Sequence, residues 1–205
     1  MKKEKIYLSL TFIDDFDSTS VIEDEYTSGF SDLIRKKESV VARLELDRLC
    51  KKYFDKSLKQ LSFKKDAFGK PSINDYNCSI SHSKGWVFVG VGNLPFGLDI
   101  EQLKEDECEH LRLAFSENEW LQIHNDSLKI FFEFSLKESV AKQIGKGFLI
   151  DPSKILIPQH CCKLKWLLTI GESVFVLTFF TEIDAEIVFD KINNCCKLVS
   201  YNENN

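Results

Sequence analysis

Gly97-Leu98-Asp99-Ile100-Glu101 alternates apolar and acidic residues with the period of a β-strand. On such a strand Asp99 and Glu101 share one face, about 7 Å apart at Cα, while Leu98 and Ile100 point the other way, toward a core. Carboxylates that close repel, and a hard cation such as Mg²⁺ between them relieves the repulsion. The same pattern also fits an ordinary solvated strand end. Upstream, Trp86 to Val91 is a second apolar stretch, joined to Phe96–Ile100 by Gly92-Asn93-Leu94-Pro95. Two strands around a Gly/Asn turn predict a hairpin.

Working outward from this strand pair, Ile6, Leu8, Leu10 and Phe12 keep a period of two and predict a half-buried strand over 5–13. Val40, Val41, Leu44, Leu49, Cys50 and Tyr53 recur at helical spacing, giving a helix over 38–54. Its charged side, with Arg43, Asp47, Arg48, Lys51 and Lys52, reads as a solvated face. Gln102 to His110 is charged without apolar periodicity and marks a boundary, dividing the chain into an N-terminal half, 1–102, and a C-terminal half, 103–205. Ser116 with Glu119 forms a capping box for a short helix to about His124. Leu128, Phe131, Phe132, Leu136, Val140, Ala141 and Ile144 predict a helix over 126–144, which Gly145 stops. Ile155–Ile157, Leu164–Ile170, Ser173–Phe180 and Glu186–Ile192 are strand-like, with a tight turn at Gly171-Glu172. Strands and helices in each half make the fold class α+β.

With 205 residues, 43% hydrophobic and 29% charged, the chain can bury a large core and is neither disordered nor fibrous. A formal charge of −5 argues against a protein that coats nucleic acid. No apolar stretch approaches the roughly 20 residues of a membrane span. Ile6–Ile13 runs straight into Asp14 and Asp15 without a small-residue cleavage site, so it is a strand rather than a signal peptide. None of the seven cysteines falls in a Cys-x-x-Cys pair, which suits reduced thiols in the cytoplasm. His160-Cys161-Cys162 lacks a second half at ligand spacing and makes a poor zinc site.

Two further stretches carry chemistry. In Phe134-Ser135-Leu136-Lys137-Glu138-Ser139-Val140-Ala141-Lys142, Glu138 and Lys142 lie one helical turn apart, an acid and a base that can hold metal and phosphate together or form a plain surface ion pair. Lys146, between Gly145 and Gly147, is a phosphate contact or a capped helix end. Phe68-Gly69-Lys70-Pro71 places a lysine on a stiff turn, and Cys78-Ser79-Ile80-Ser81-His82-Ser83 offers hydroxyls and an imidazole just ahead of a strand.

In order and spacing, F-G-K-P, S-I-S-H-S, G-L-D-I-E and S-L-K-E-S-x-x-K with its G-K-G tail resemble the 4′-phosphopantetheinyl transferases, specifically the long, monomeric type that activates peptide and polyketide synthases. The motifs cover about residues 38–150. The resemblance implies two similar α/β lobes about a pseudo-twofold axis, with coenzyme A and Mg²⁺ in the cleft between them. It implies transfer of the 4′-phosphopantetheine arm to a serine of an apo acyl, peptidyl or polyketide carrier protein, the reaction of a holo-carrier synthase, with 3′,5′-ADP released. Matched motif by motif, Asp99, Glu101 and Glu138 become the magnesium ligands and Glu138 the base. Lys70 and Pro71 border the adenosine, Ser81 and His82 lie at the nucleotide with His82 on the 3′-phosphate, Lys137 and Lys142 face the pyrophosphate, and Lys146 adds a phosphate contact. No nucleic acid or membrane partner is implied.

The sequence departs from that pattern at three places. Phe134 stands where the family has tryptophan, Cys78-Ser79 replaces an aromatic and an asparagine, and Glu38 occupies a position where a basic contact to coenzyme A is expected. Arg35, Lys36, Lys37 and Arg43 are the nearby cations that could supply it. Two other functions compete: a noncatalytic coenzyme A or carrier-binding module, and a magnesium-dependent phosphatase or nuclease, which would need the acids alone.

Overall fold

The computed structural model describes residues 3–16, 26–145, 150–192 and 196–201. The chain runs β1 (Lys5–Phe12), α1 (Leu33–Phe54), β2 (Lys64–Lys65), β3 (Pro71–Ser72), β4 (Asn77–Ser83), β5 (Trp86–Gly92), β6 (Gly97–Gln102), α2 (Glu117–Ile123), α3 (Ser127–Ile144), β7 (Cys162–Ile170), β8 (Ser173–Thr181), β9 (Glu186–Ile192) and β10 (Lys197–Ser200), a mixed α+β fold. One sheet has the order β4-β5-β1-β9 and the other β10-β7-β8-β6. Both contain the same connection of strand, helix and two strands: β1-α1-β4-β5 in the first and β6-α3-β7-β8 in the second. In each, the opening strand pairs antiparallel with the closing one.

The inward faces of the two sheets share one core, in which Leu8, Leu10 and Phe88 meet Leu98, Ile100, Leu177 and Phe179. Val87, Val89 and Val91, on the opposite face of β5, pack on Val41, Leu46 and Leu49 of α1. Burial on both faces explains why β5 reads as an unbroken apolar run. It also corrects the expected hairpin. Both edges of β5 are taken, by β1 and by β4 through the Lys84-Gly85 turn, so the chain leaves the first sheet at Gly92 and β6 pairs with β8 in the second.

Sheet membership does not follow a cut at 102/103, because β6 joins the second sheet and β9 runs parallel to β1 in the first. The return of β9 also alters the reading of the charged face of α1. Arg48 and Lys52 are each 2.6 Å from the Asp190 carboxylate, and the Tyr53 hydroxyl donates to it. Burial pushes the Asp190 carboxyl upward, but these donors outweigh it and hold the group down at about 2. Arg48, Lys52 and Tyr53 thus tie α1 to β9, while Lys51 and Lys52 stay exposed on the solvated part of this face.

Ser116 and Glu119 form the expected capping box, Asp126 caps α3 and Gly145 ends it with φ +80°. Gly171-Glu172 joins β7 to β8. Ile155–Ile157 is not a strand: after a short 3₁₀ turn Ile155 is buried, Leu156 is exposed and Ile157 packs partly buried beside Ile155 on α3. Ser81-His82-Ser83 lies just ahead of β5 as expected, but it is itself the end of a strand, β4. Among the described residues, no helix is long and apolar enough to cross a membrane, and six cysteines are free thiols.

Candidate active site

β4 and β6 are the facing edges of the two sheets, and serine side chains stitch them together. The backbone N–H groups of Leu98, Ile100 and Gln102 donate to the hydroxyls of Ser79, Ser81 and Ser83 at 3.3–3.4 Å. The alternation S-x-S-x-S on β4 therefore satisfies the otherwise unpaired edge of β6. Across β6, α3 lies so close at Gly97 that an added Cβ would meet the Ser139 carbonyl oxygen at 1.8 Å. This contact explains the glycine that opens the acidic motif.

Asp99 sits where these elements meet and is 1% exposed. Its Oδ1 accepts from Ser81 Oγ at 2.7 Å and from Lys142 Nζ, and its Oδ2 accepts from Ser135 Oγ at 2.8 Å. Lys142 also donates to Ser81 Oγ at 2.7 Å. Lys142 thus bridges the two sheets.

A cavity of about 500 Å³ opens beside this knot, lined among others by Arg35, Lys70, Pro71, Ser81, His82, Asp99, Glu101, Glu138 and Lys142. Burial, then the charge of Asp99, raises the Glu101 carboxyl to about 8, and the same two causes raise Glu138, each opposed by Lys142. Among the described residues, no side-chain donor reaches Glu101 or Glu138. The three acids share one cavity but not one coordination point, since no three of His, Cys, Asp and Glu among the described residues converge closely enough to hold a metal. Asp99 is engaged on both oxygens, which leaves Glu101 and Glu138 with open lone pairs. Two hard, repelling oxygen donors beside a phosphate-sized space fit Mg²⁺, which commonly takes one or two carboxylates and completes its shell with substrate phosphate and water.

The other expected residues divide. Lys70 lines the cavity, and its Nζ donates to the Gln143 carbonyl at 2.8 Å, so the residue just before β3 closes the end of α3. Lys137 turns away. It is 1% exposed and its ammonium lies 2.9 Å from Glu119 Oε1 and 3.1 Å from the Pro152 carbonyl, beside the Phe115 ring. One residue separates it from Ser135 and another from Ser139, so the helix points it away from β6, and it cannot face a phosphate in the cavity. Lys146 lies outside the described residues. Glu38 is no cavity cation either: its carboxylate is bound by His82 and by the Gly85 amide.

Sequence reasoning left the basic rim unassigned. Arg35 and Arg43 of α1 and Lys65 of β2 supply it, with Ser39 and Ala42 lining the cavity beside them. Positions 35, 39, 42 and 43 fall on one helical face, a signal hidden by treating the charges of α1 as solvated.

The chain is 38% identical over 104 residues to a 4′-phosphopantetheinyl transferase of Aneurinibacillus migulanus, covering 48% of this chain and 44% of that protein. To a 4′-phosphopantetheinyl transferase of Bacillus subtilis it is 35% identical over 95 residues, 42% of each. By sequence, the chain is similar to 4′-phosphopantetheinyl transferases over about half its length. A further member from Bacillus pumilus is 25% identical over 126 residues, 58% of this chain and 54% of the other. The chain spans about half the length of the curated relatives it matches. No family model matches it.

Proposed function

We propose that this chain, as a monomer, moves the 4′-phosphopantetheine arm of coenzyme A onto a serine of an apo carrier protein, its two lobes related by a pseudo-twofold axis about the cleft. The supporting observation is the cavity itself, which sets Arg35, Lys70 and His82 opposite Glu101, Glu138 and Lys142. Acids alone would suit a simple hydrolase. Acids facing a basic rim suit a long polyanion whose diphosphate must be neutralised before attack.

In this reading Lys70 and Pro71 border the adenosine, His82 donates to the 3′-phosphate, and Ser81 and Lys142 meet the diphosphate. Glu101 and Glu138 would hold Mg²⁺, with Asp99 joining as Lys142 turns to the substrate; the ion would neutralise the diphosphate oxygens and assist departure of the leaving group. Glu138, whose carboxyl burial and then Asp99 push upward, takes the proton of the carrier serine. The serine oxygen bonds to the phosphorus that carries the pantetheine arm, the P–O bond to the nucleotide breaks, and 3′,5′-ADP leaves.

Intact mass of several apo carriers after incubation with coenzyme A, Mg²⁺ and the protein tests this. A gain of one phosphopantetheine on the carrier serine is expected. Binding of coenzyme A without that gain would instead favour a noncatalytic binding module, and release of phosphate without it a hydrolase.

A further inference from the structure

Glu38 stands on the second turn of α1, is 3% exposed and carries a carboxylate with both oxygens engaged. Its Oε1 accepts from the Gly85 amide at 2.7 Å and its Oε2 lies 2.8 Å from His82 Nδ1. Gly85 and Lys84 form the β4–β5 turn, with φ of +84° and +51°, so one carboxylate fixes both the turn and the imidazole three residues before it. His82 lines the cavity with its side chain 36% exposed, and among the described residues its Nε2 has no hydrogen-bond partner.

A carboxylate can only accept, so Nδ1 must donate, and the neutral ring then presents Nε2 to the cavity as an acceptor. An anion at Nε2 requires a proton there as well. His82 would then be an imidazolium held between two acceptors, Glu38 behind it and the ligand in front.

We propose that Glu38 is the positioning residue of the anion subsite at His82. It locks the ring by Nδ1, aims Nε2 into the cavity and balances the charge of the imidazolium that binds a phosphomonoester. This deepens, and rests on, the reading that His82 meets the 3′-phosphate of coenzyme A. It also gives the acidic residue in a basic neighbourhood a role: the cation at this subsite is His82, and Glu38 sustains it.

The test compares coenzyme A with 3′-dephospho-coenzyme A in wild type, Glu38→Gln and His82→Ala. In Glu38→Gln the amide oxygen could still accept from Gly85, but His82 would meet a neutral amide in place of the anion. The expected result for Glu38→Gln is a KM for coenzyme A raised about tenfold, with kcat within about twofold and the KM for the dephospho compound unmoved. An unchanged preference in Glu38→Gln beside a collapsed one in His82→Ala overturns the proposal and leaves the phosphate reading standing. An unchanged preference in both overturns the reading and the proposal with it. Should Glu38→Gln fail to fold, ¹⁵N NMR of the His82 ring in wild type decides the matter. A proton on Nδ1 in the free protein, and on both nitrogens with 3′,5′-ADP but not with 5′-AMP, supports the assignment; a free protein protonated on Nε2 alone refutes it.

Discussion

Gly97 and Ser139 are in backbone contact: a Cβ on Gly97 would stand 1.8 Å from the Ser139 carbonyl oxygen. A glycine here lets α3 lie against β6 and brings Ser135 and Lys142 onto Asp99. Gly97→Ala has no flexible side chain to push aside, so the helix itself must shift. The expected cost is about 1–3 kcal/mol or more, read as a lower urea midpoint, together with a loss of transfer activity because the Asp99 knot opens. A wild-type midpoint would show that the contact is looser than described.

Asp99 and Glu138 should fail in different ways. Asp99→Asn keeps the shape but removes the charge that holds Lys142, so transfer should drop by about 10²-fold or more. Glu138 is half-buried beside other acids and its carboxyl is raised. Glu138→Gln should lose transfer on a similar scale, yet be at least as stable as wild type near neutral pH. Thermal melts beside carrier-loading rates separate the two, and a Glu138→Gln protein with normal turnover would remove that residue from the chemistry.

Glu101 predicts a pH dependence of stability. Burial first, then Asp99, raises its carboxyl to about 8 from an ordinary value of 4.5. Between these values the folded protein holds a proton that the unfolded chain has released, so stability falls as pH rises through the interval. Glu101→Gln should flatten that slope and melt above wild type at its alkaline end. Melting curves that stay parallel across the interval would contradict the raised carboxyl.

How much of this was legible in the sequence depended on whether the information was local. Capping boxes and glycine stops are settled within a few residues, so the ends of α2 and α3 read correctly from Ser116, Glu119, Asp126 and Gly145. Strand partners are not local. The apolar runs on either side of Gly92-Asn93-Leu94-Pro95 look like a hairpin in sequence, yet β5 was already paired through a turn, Lys84-Gly85, that carries a weaker signal. In the site, the period-two spacing of Asp99 and Glu101 placed both acids toward one cavity. The direction of Lys137 could have been read from its own helix, because Ser135, Glu138 and Lys142 cannot share a face with it. The pairing of Glu38 with His82 spans two elements and had no sequence signal.

Lys137 and Glu119 give the sharpest contrast between a structural cation and a substrate-binding one. Their side chains are 2% and 37% exposed. Removing Lys137 leaves a carboxylate that water can reach, whereas removing Glu119 strands an ammonium in the interior with the Pro152 carbonyl as its remaining partner. Lys137→Met should therefore cost about 1–2 kcal/mol and Glu119→Ala about 3 kcal/mol or more, an asymmetry measurable by urea denaturation. In the folded fraction of Lys137→Met, the KM for coenzyme A should stay within about twofold of wild type, because the ammonium does not line the cavity. A tenfold rise in that KM, with the midpoint unchanged, would return Lys137 to the phosphate site.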